Sequence, residues 1–273
     1  MNIKKLIIPA AGIGSRFLPI TKTIPKEMLP IGNKPAIEYI VQEASDAHIK
    51  NIEIILSPEK TSIKDYFQEN KKLNQILTEK NELYRIKSIQ TIIENINISF
   101  SYQSKPAGLA DALMHAQNFI EHDQYFAVAL PDDLIFGTSP ELEHLILIAQ
   151  KMSGMVIAVQ EIPLESIGAY GVVVIDKKIN DRCYAIQSMV EKPSPKDAPS
   201  NLAIVGRYIF HKDLFTYIPK TPLSKSGEIL LPDTINLMIK QGYPVFAYII
   251  QGQRFDTGTP QGWLHCLQTI QYL

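Results

Sequence analysis

The sequence predicts an α/β protein built on a doubly wound, mainly parallel mixed sheet with helices on both faces. Three observations predict it. Short apolar runs such as LII (6–8), YFAVAL (125–130) and MVIAV (155–159) read as strands buried on both faces. Segments with apolar residues at helical spacing lie between them. The two kinds of segment alternate along the chain, and that pattern selects crossover connections and a parallel sheet.

The elements follow in order. Leu6, Ile7 and Ile8 form the first strand. Pro35 suits a first helical position, and Ile37, Ile40, Val41 and Ala44 continue one helical face. IEIIL (52–56) is the next strand, and residues 59–90 are helical and polar without a recognisable motif. ISFSYQ (98–103) alternates Ile98, Phe100 and Tyr102, as a half-buried strand does. Leu109, Ala112, Leu113, Ala116, Phe119 and Ile120 share one helical face. YFAVAL then runs straight into Pro131-Asp132-Asp133. A helix over 140–152 precedes MVIAV. The later strands are VVVI (172–175), AIVGRYIF (203–210) and VFAYII (245–250), and 260–272 closes the chain as a helix. EKPSPKDAPSN (191–201) has the composition of a linker, but strong strands flank it, so it reads as a loop within one domain spanning 1–273.

With 273 residues, 45% of them hydrophobic, the chain can bury a sizeable core. Its formal charge of -1 argues against a nucleic-acid binder, so any phosphate ligand must be held by a few placed cations. Cys183 and Cys266 are far apart, which suggests a reducing compartment without a disulfide framework. The start superficially mimics a secretory signal, but Pro9, Gly12, Gly14 and Arg16 interrupt it. No stretch is long enough to span a bilayer. The expectation is a cytoplasmic protein with no membrane partner.

The opening stretch, KKLIIPAAGIGSRFLPITKTIPKEMLP, carries the first chemistry. Phosphates bind beyond the carboxyl ends of strands in α/β sheets, where bare backbone approaches them closely. Gly12 and Gly14 supply that backbone. The dinucleotide fingerprint fails because its third glycine position is Phe17, and no P-loop spacing is present. Pro19, Pro25 and Pro30 forbid a regular helix, so a long loop follows. Along it, Arg16 can grip phosphate oxygens bidentately and Lys26 offers a point charge. Asp132, closing a buried strand, either offers a hard oxygen that suits Mg²⁺ beside phosphates or belongs to a turn-forming Asp-Asp pair.

The stretch AAGIGSRFLPITKTIPKEMLP resembles the signature of the sugar-1-phosphate nucleotidyltransferases, G-x-G-[ST]-R-x-x-P-x-T-K-x-x-P-K-x-x-L-P. Within that family, PKEMLP is similar to the uridylyltransferase branch rather than the thymidylyltransferase one. The resemblance returns, in order, at QSKPAGLADAL, LPDD, AYGVV, VEKP, SNLAIVGRYIF, GEILLPDTI and FDTGTPQGW, across nearly the whole chain. It implies a Rossmann-like fold of the nucleotide-diphospho-sugar transferase type, with a nucleotide-binding part about 1–135 and a sugar-binding, closing part about 136–273. It implies that the phosphate of glucose 1-phosphate attacks the α-phosphorus of UTP in line, with Mg²⁺ present, forming UDP-glucose and pyrophosphate. No protein nucleophile is then needed. The protein must align two polyanions and neutralise their charge.

The resemblance also implies site residues. Arg16, Lys26, Lys192 and Asp132 are catalytic, and Asp132 with Asp256 holds the metal, Asp133 being the alternative partner. Ala10, Ala11, Gly12, Gly14, Glu27, Gln103 and Gly108 bind nucleotide. Gln103 can donate and accept at once, matching the uracil edge, which thymine shares. Glu191 accepts hydrogen bonds from sugar hydroxyls, Lys192 holds the sugar phosphate, and Gly171 lets backbone lie against the sugar ring. The family's members are commonly homodimers or homotetramers.

Two departures stand out. The chain reads Gly108-Leu109-Ala110-Asp111-Ala112 where family members often read G-L-G-H-A, a form leaning toward thymidylyltransferases. GEILLPDTI replaces the usual G-E-I-Q-L-T-D, so Leu230 and Pro232 change polarity near either the sugar pocket or a subunit contact. Competing expectations are a thymidylyl- or cytidylyltransferase on the same sugar phosphate, and a non-catalytic nucleotide-sugar-binding paralogue. The paralogue should lack one of the charged residues that this chain keeps. The six histidines fit no zinc spacing, and no G-x-S-x-G elbow is present.

Overall fold

The first strand, β1 (Lys5–Pro9), has Leu6, Ile7 and Ile8 fully buried, and the rest of the molecule is laid out around it. The computed structural model describes residues 2–225 and 227–270. After β1 the prolines have their expected effect. The loop contains three isolated 3-10 turns, at Ser15–Phe17, Ile20–Lys22 and Lys26–Met28, of which the second and third start from Pro19 and Pro25. A minimal hairpin of β2 (Pro30–Ile31) and β3 (Lys34–Pro35) leads into α1 (Ala36–Asp46), with Pro35 as its N-cap.

The chain continues through β4 (Asn51–Leu56), α2 (Thr61–Tyr66), α3 (Lys71–Glu79), α4 (Lys87–Asn95) and β5 (Asn97–Tyr102). The single helix expected over 109–120 is two short ones, α5 (Leu109–Met114) and α6 (Gln117–Ile120). β6 (Tyr125–Ala129) and β7 (Asp133–Phe136) precede α7 (Glu141–Met152) and β8 (Met155–Glu161). Then come β9 (Gly171–Lys178), β10 (Cys183–Glu191), β11 (Leu202–His211), α8 (Leu214–Tyr217) and α9 (Leu231–Lys240). β12 (Val245–Ile249), β13 (Gln253–Asp256) and α10 (Pro260–Ile270) complete the described chain, and the last two residues of the helix expected over 260–272 lie outside it.

Nine strands form one sheet in the order β5-β4-β1-β6-β11-β8-β12-β10-β9. The β5-β4-β1-β6 half is wholly parallel, as the alternation of strands and helices requires. In the other half β12 runs parallel to β8, whereas β11 and β10 pair antiparallel to their neighbours. The turn at 179–182 is too short for a crossover, so β9 and β10 must form a hairpin. β10 and β11, on either side of the proline-rich 192–201 segment, belong to the same sheet.

Two features outside the regular pattern shape the rim of the sheet. β7 and β13 form a separate antiparallel ribbon that pairs Asp133 with Asp256 and Leu134 with Phe255. It brings the far end of the chain to the exit of β6. Arg207 on β11 is fully buried, ion-paired with Glu43 of α1 at 2.7 Å, and donates to the carbonyls of Leu130 and Gly206. The Leu130 bond fastens the chain where it leaves β6, two residues before Asp132. No helix among the described residues is long and apolar enough to cross a membrane.

Candidate active site

The carboxyl rim of β6 sorts its two aspartates. Asp132 lies just past the strand, its carbonyl accepting from the Thr257 N–H at 2.7 Å and hydroxyl at 3.0 Å. Its side chain points to the opening loop, where Lys26 Nζ meets Oδ2 at 2.5 Å. Asp133 turns the other way. Its Oδ2 accepts from the Gly206 N–H at 2.8 Å and its Oδ1 from Arg254 Nε at 2.6 Å. Burial pushes the Asp133 carboxyl up despite the Arg254 guanidinium beside it. With both oxygens committed, Asp133 is a structural partner for Arg254, which corrects its standing as an alternative metal ligand.

Asp256 ends β13 opposite Asp133, and its Oδ1 accepts from the Gly258 N–H at 3.1 Å. Gly258 explains why the two outward carboxylates can share a ligand. A Cβ at that position would lie 2.7 Å from Asp132 Oδ2 and 3.1 Å from Asp256 Oδ1. The bare glycine therefore leaves open the space onto which both oxygens face. Among the described residues no cluster of three or more histidine, cysteine or acidic side chains could hold a metal. Two carboxylates facing one space suit a hard divalent cation that takes one or two protein carboxylates and is completed by phosphate and water oxygens.

The cations come from the loop. Gly14 adopts φ +72° because the chain turns back on Thr21, whose hydroxyl bonds the Gly14 carbonyl at 2.8 Å. That turn sets Arg16 on the wall of a cavity of about 320 Å³ that Asp132, Asp133 and Asp256 also line. Arg16 also lies near enough to act on the charges of Lys26 and Asp132. Arg16, Lys26, Asp132 and Asp256 are therefore together. Lys192 is not among the residues lining this cavity. It is more than half exposed at the outer side of Glu191, 3.5 Å from Glu191 Oε1, in a left-handed backbone conformation with φ +45°.

Glu191 and Gly171 are cross-strand neighbours on β10 and β9, and both line the same cavity. A Cβ on Gly171 would sit 3.1 Å from Ile204 Cδ1 and 3.3 Å from Glu191 Oε2, so glycine leaves that carboxylate more room. Leu230 and Pro232 line the wall too, so the GEILLPDTI departure acts at this pocket. Sequence reasoning missed Tyr170, Glu228 and Arg254 on this wall. Arg254 stacks on the Tyr170 ring at 5.0 Å while pairing with Asp133. The motifs GEILLPDTI, AYGVV and RFD contain these residues, but nothing local marks which of them face inward.

A second cavity of about 320 Å³ opens beyond β1 and β5, lined by Ala11, Thr21, Lys60, Gln103 and Pro106 among others. Gly12 has no atom within 4 Å of where a Cβ would be, so its backbone is bare toward the surroundings. Gly108, at φ +93°, turns the chain into α5. Gln103 is buried, with Nε2 2.7 Å from Asp111 Oδ2 and 3.3 Å from the Gly108 carbonyl oxygen.

Glu27 does not face this cavity. It is 2% exposed and accepts from Lys60 Nζ at 2.8 Å, and that ammonium also donates to the Ala10 carbonyl at 2.7 Å. Burial pushes the Glu27 carboxyl up and the Lys60 ammonium down, each opposed by the other. A buried carboxylate needs a cation, and Lys60 fills that need. The expected base-contacting Glu27 is thus corrected to a support for Lys60, which sits in a polar stretch without a motif.

Residues 5–271 match the family model described as nucleotidyl transferase. The chain is 41% identical to the UTP–glucose-1-phosphate uridylyltransferase of Mycoplasma pneumoniae over 264 residues, covering 96% of this chain and 90% of that one. It is also similar to solved structures of apo UDP-glucose pyrophosphorylase (TM-score 0.94, 37% identity, 99% and 98% covered) and of UDP-glucose pyrophosphorylase complexed with UDP-glucose (TM-score 0.89, 37% identity, 99% of each covered).

Proposed function

The chain belongs to the nucleotidyl transferase family, and from that premise we infer that it transfers a uridylyl group from UTP to glucose 1-phosphate, giving UDP-glucose and pyrophosphate. One observation carries the reading: Arg16, Lys26, Asp132 and Asp256 converge at the sheet's rim, beside the cavity that Gly171 and Glu191 line.

The two substrates are polyanions. Like unit charges about 4 Å apart repel by roughly 4 kcal/mol at an effective dielectric of 20. Neutralising and aligning them is therefore the protein's main task, and well-oriented reactants avoid roughly 7–11 kcal/mol of barrier. In this reading the base enters the cavity lined by Gln103 and Lys60, and the Gly12 backbone passes along the phosphates. Lys26 gives up Asp132 to meet phosphate oxygens, with Arg16 beside it. Glu191 accepts from sugar hydroxyls, Gly171 allows the ring to lie against backbone, and Lys192 swings in from the solvent side to the sugar phosphate. Asp132 and Asp256 would hold Mg²⁺, which when bound draws charge from the triphosphate. The attacking sugar phosphate is already anionic, so no residue needs to remove a proton from it.

The parallel half, about 1–135, would thus hold the nucleotide, and about 136–273 the sugar side and the closing ribbon. A cytoplasmic setting and an assembly of two or four copies go with this reading, the latter checked by light scattering. The central test is pyrophosphate release with glucose 1-phosphate and UTP, dTTP or CTP in parallel. UTP should be used best, and a clear preference for dTTP would overturn the assignment.

A further inference from the structure

Gln103 follows β5 with its side chain 6% exposed, and the two groups against its amide nitrogen are of one chemical kind. The Asp111 carboxylate at 2.7 Å and the Gly108 carbonyl at 3.3 Å only accept hydrogen bonds. The amide therefore has one orientation. Turned over, its oxygen would face two acceptors, one of them charged. Both amide hydrogens are engaged, so Oε1 is left to accept, and among the described residues no donor reaches it.

We propose that Asp111 is a positioning residue that locks Gln103 as an acceptor and thereby makes the base cavity select an imide N3–H. The inference rests on the reading above that this cavity takes the nucleobase. Uracil and thymine both offer N3–H. Cytosine presents an N3 lone pair, which would face the Oε1 lone pair with no hydrogen between them. An unconstrained glutamine would turn over and donate to cytosine, and Asp111 prevents it. The chain's departure at Ala110-Asp111 thus acts on the choice among bases, separating uracil from cytosine and not uracil from thymine.

The test is equilibrium binding of UTP, dTTP and CTP, by calorimetry, to the wild type, Asp111→Leu and Asp111→Asn. The wild type should favour UTP and dTTP over CTP. In Asp111→Leu, which removes the acceptor at a similar size, the UTP-to-CTP ratio should fall roughly tenfold or more. Asp111→Asn, whose carbonyl oxygen can still accept from the Gln103 amide, should keep most of it. Equal weakening of UTP and CTP by Asp111→Leu would overturn the proposal, as would a wild type that binds CTP as well as UTP, or an equal loss in Asp111→Asn. Turnover is read separately. Wild-type preference for UTP in binding, without pyrophosphate release, would reject the transferase reading and leave the role of Asp111 standing.

Discussion

Asp132 and Lys26 each hold the other in its charged form. Burial opposes both charges. For Asp132 it is outweighed by the Lys26 ammonium and its hydrogen bond, which keep the carboxyl below the ordinary carboxylate value. For Lys26 it is outweighed by Asp132 and Glu27, which raise the ammonium. A lowered carboxyl contributes stability above about pH 4 that is lost as pH falls through its folded pKa. A raised ammonium contributes stability below about pH 10.4 that is lost as pH rises through its folded pKa. Lys26→Met should therefore lower thermal stability most near pH 7, and the deficit should shrink toward pH 4 as the stranded Asp132 protonates. A deficit independent of pH in melts of the two proteins would mean the pair is not coupled. Asp132→Asn should reduce UTP-dependent turnover at least about a hundredfold while changing stability by only about 1–2 kcal/mol. Near-normal activity at saturating magnesium would reject its role.

At the scale of elements, the β7–β13 ribbon decides whether two carboxylates face one space. The turn after β13 depends on side-chain size more than on backbone strain. Gly258 does not occupy the left-handed region, so alanine fits its backbone, but the added Cβ would press on Asp132 and Asp256. Gly258→Ala should raise the magnesium concentration for half-maximal rate roughly 10–100-fold. Its melting temperature should stay near that of the wild type, and an unchanged magnesium dependence would show that the space between the carboxylates is not used. The ribbon was not legible in the sequence. DLIF and QRFD are four residues each, and Asp133 pairs inward with Arg254 across them, so they lack the apolar run that made β1, β6 and β8 readable. The break between α5 and α6 was hidden for the opposite reason: the apolar spacing runs on through a turn at 115–116.

The whole molecule places two cavities beside one charged rim, and on the proposed reading, in which one takes the nucleotide and the other the sugar, ligand binding should be felt as global stability. UTP with magnesium at a hundred times its Kd stabilises by about 2.7 kcal/mol. For a chain of this size that corresponds to a rise in Tm of roughly 5 °C. Asp132→Asn should lose the magnesium-dependent part of the rise, and a rise of the same size without magnesium would argue against metal-assisted binding. Periodicity alone determined the parallel half of the sheet, because a strand buried on both faces is written in consecutive apolar residues. The ordered motifs determined which chemistry the chain carries, because gripping phosphates requires bare glycine, fixed cations and hard oxygen ligands. Only the tertiary structure decided that Asp133 is committed to Arg254 and Gly206 while Asp132 meets Lys26, and that Glu27 turns inward to Lys60. Those outcomes depend on partners 121 and 33 positions away, since a buried charge goes wherever the fold supplies its counter-charge.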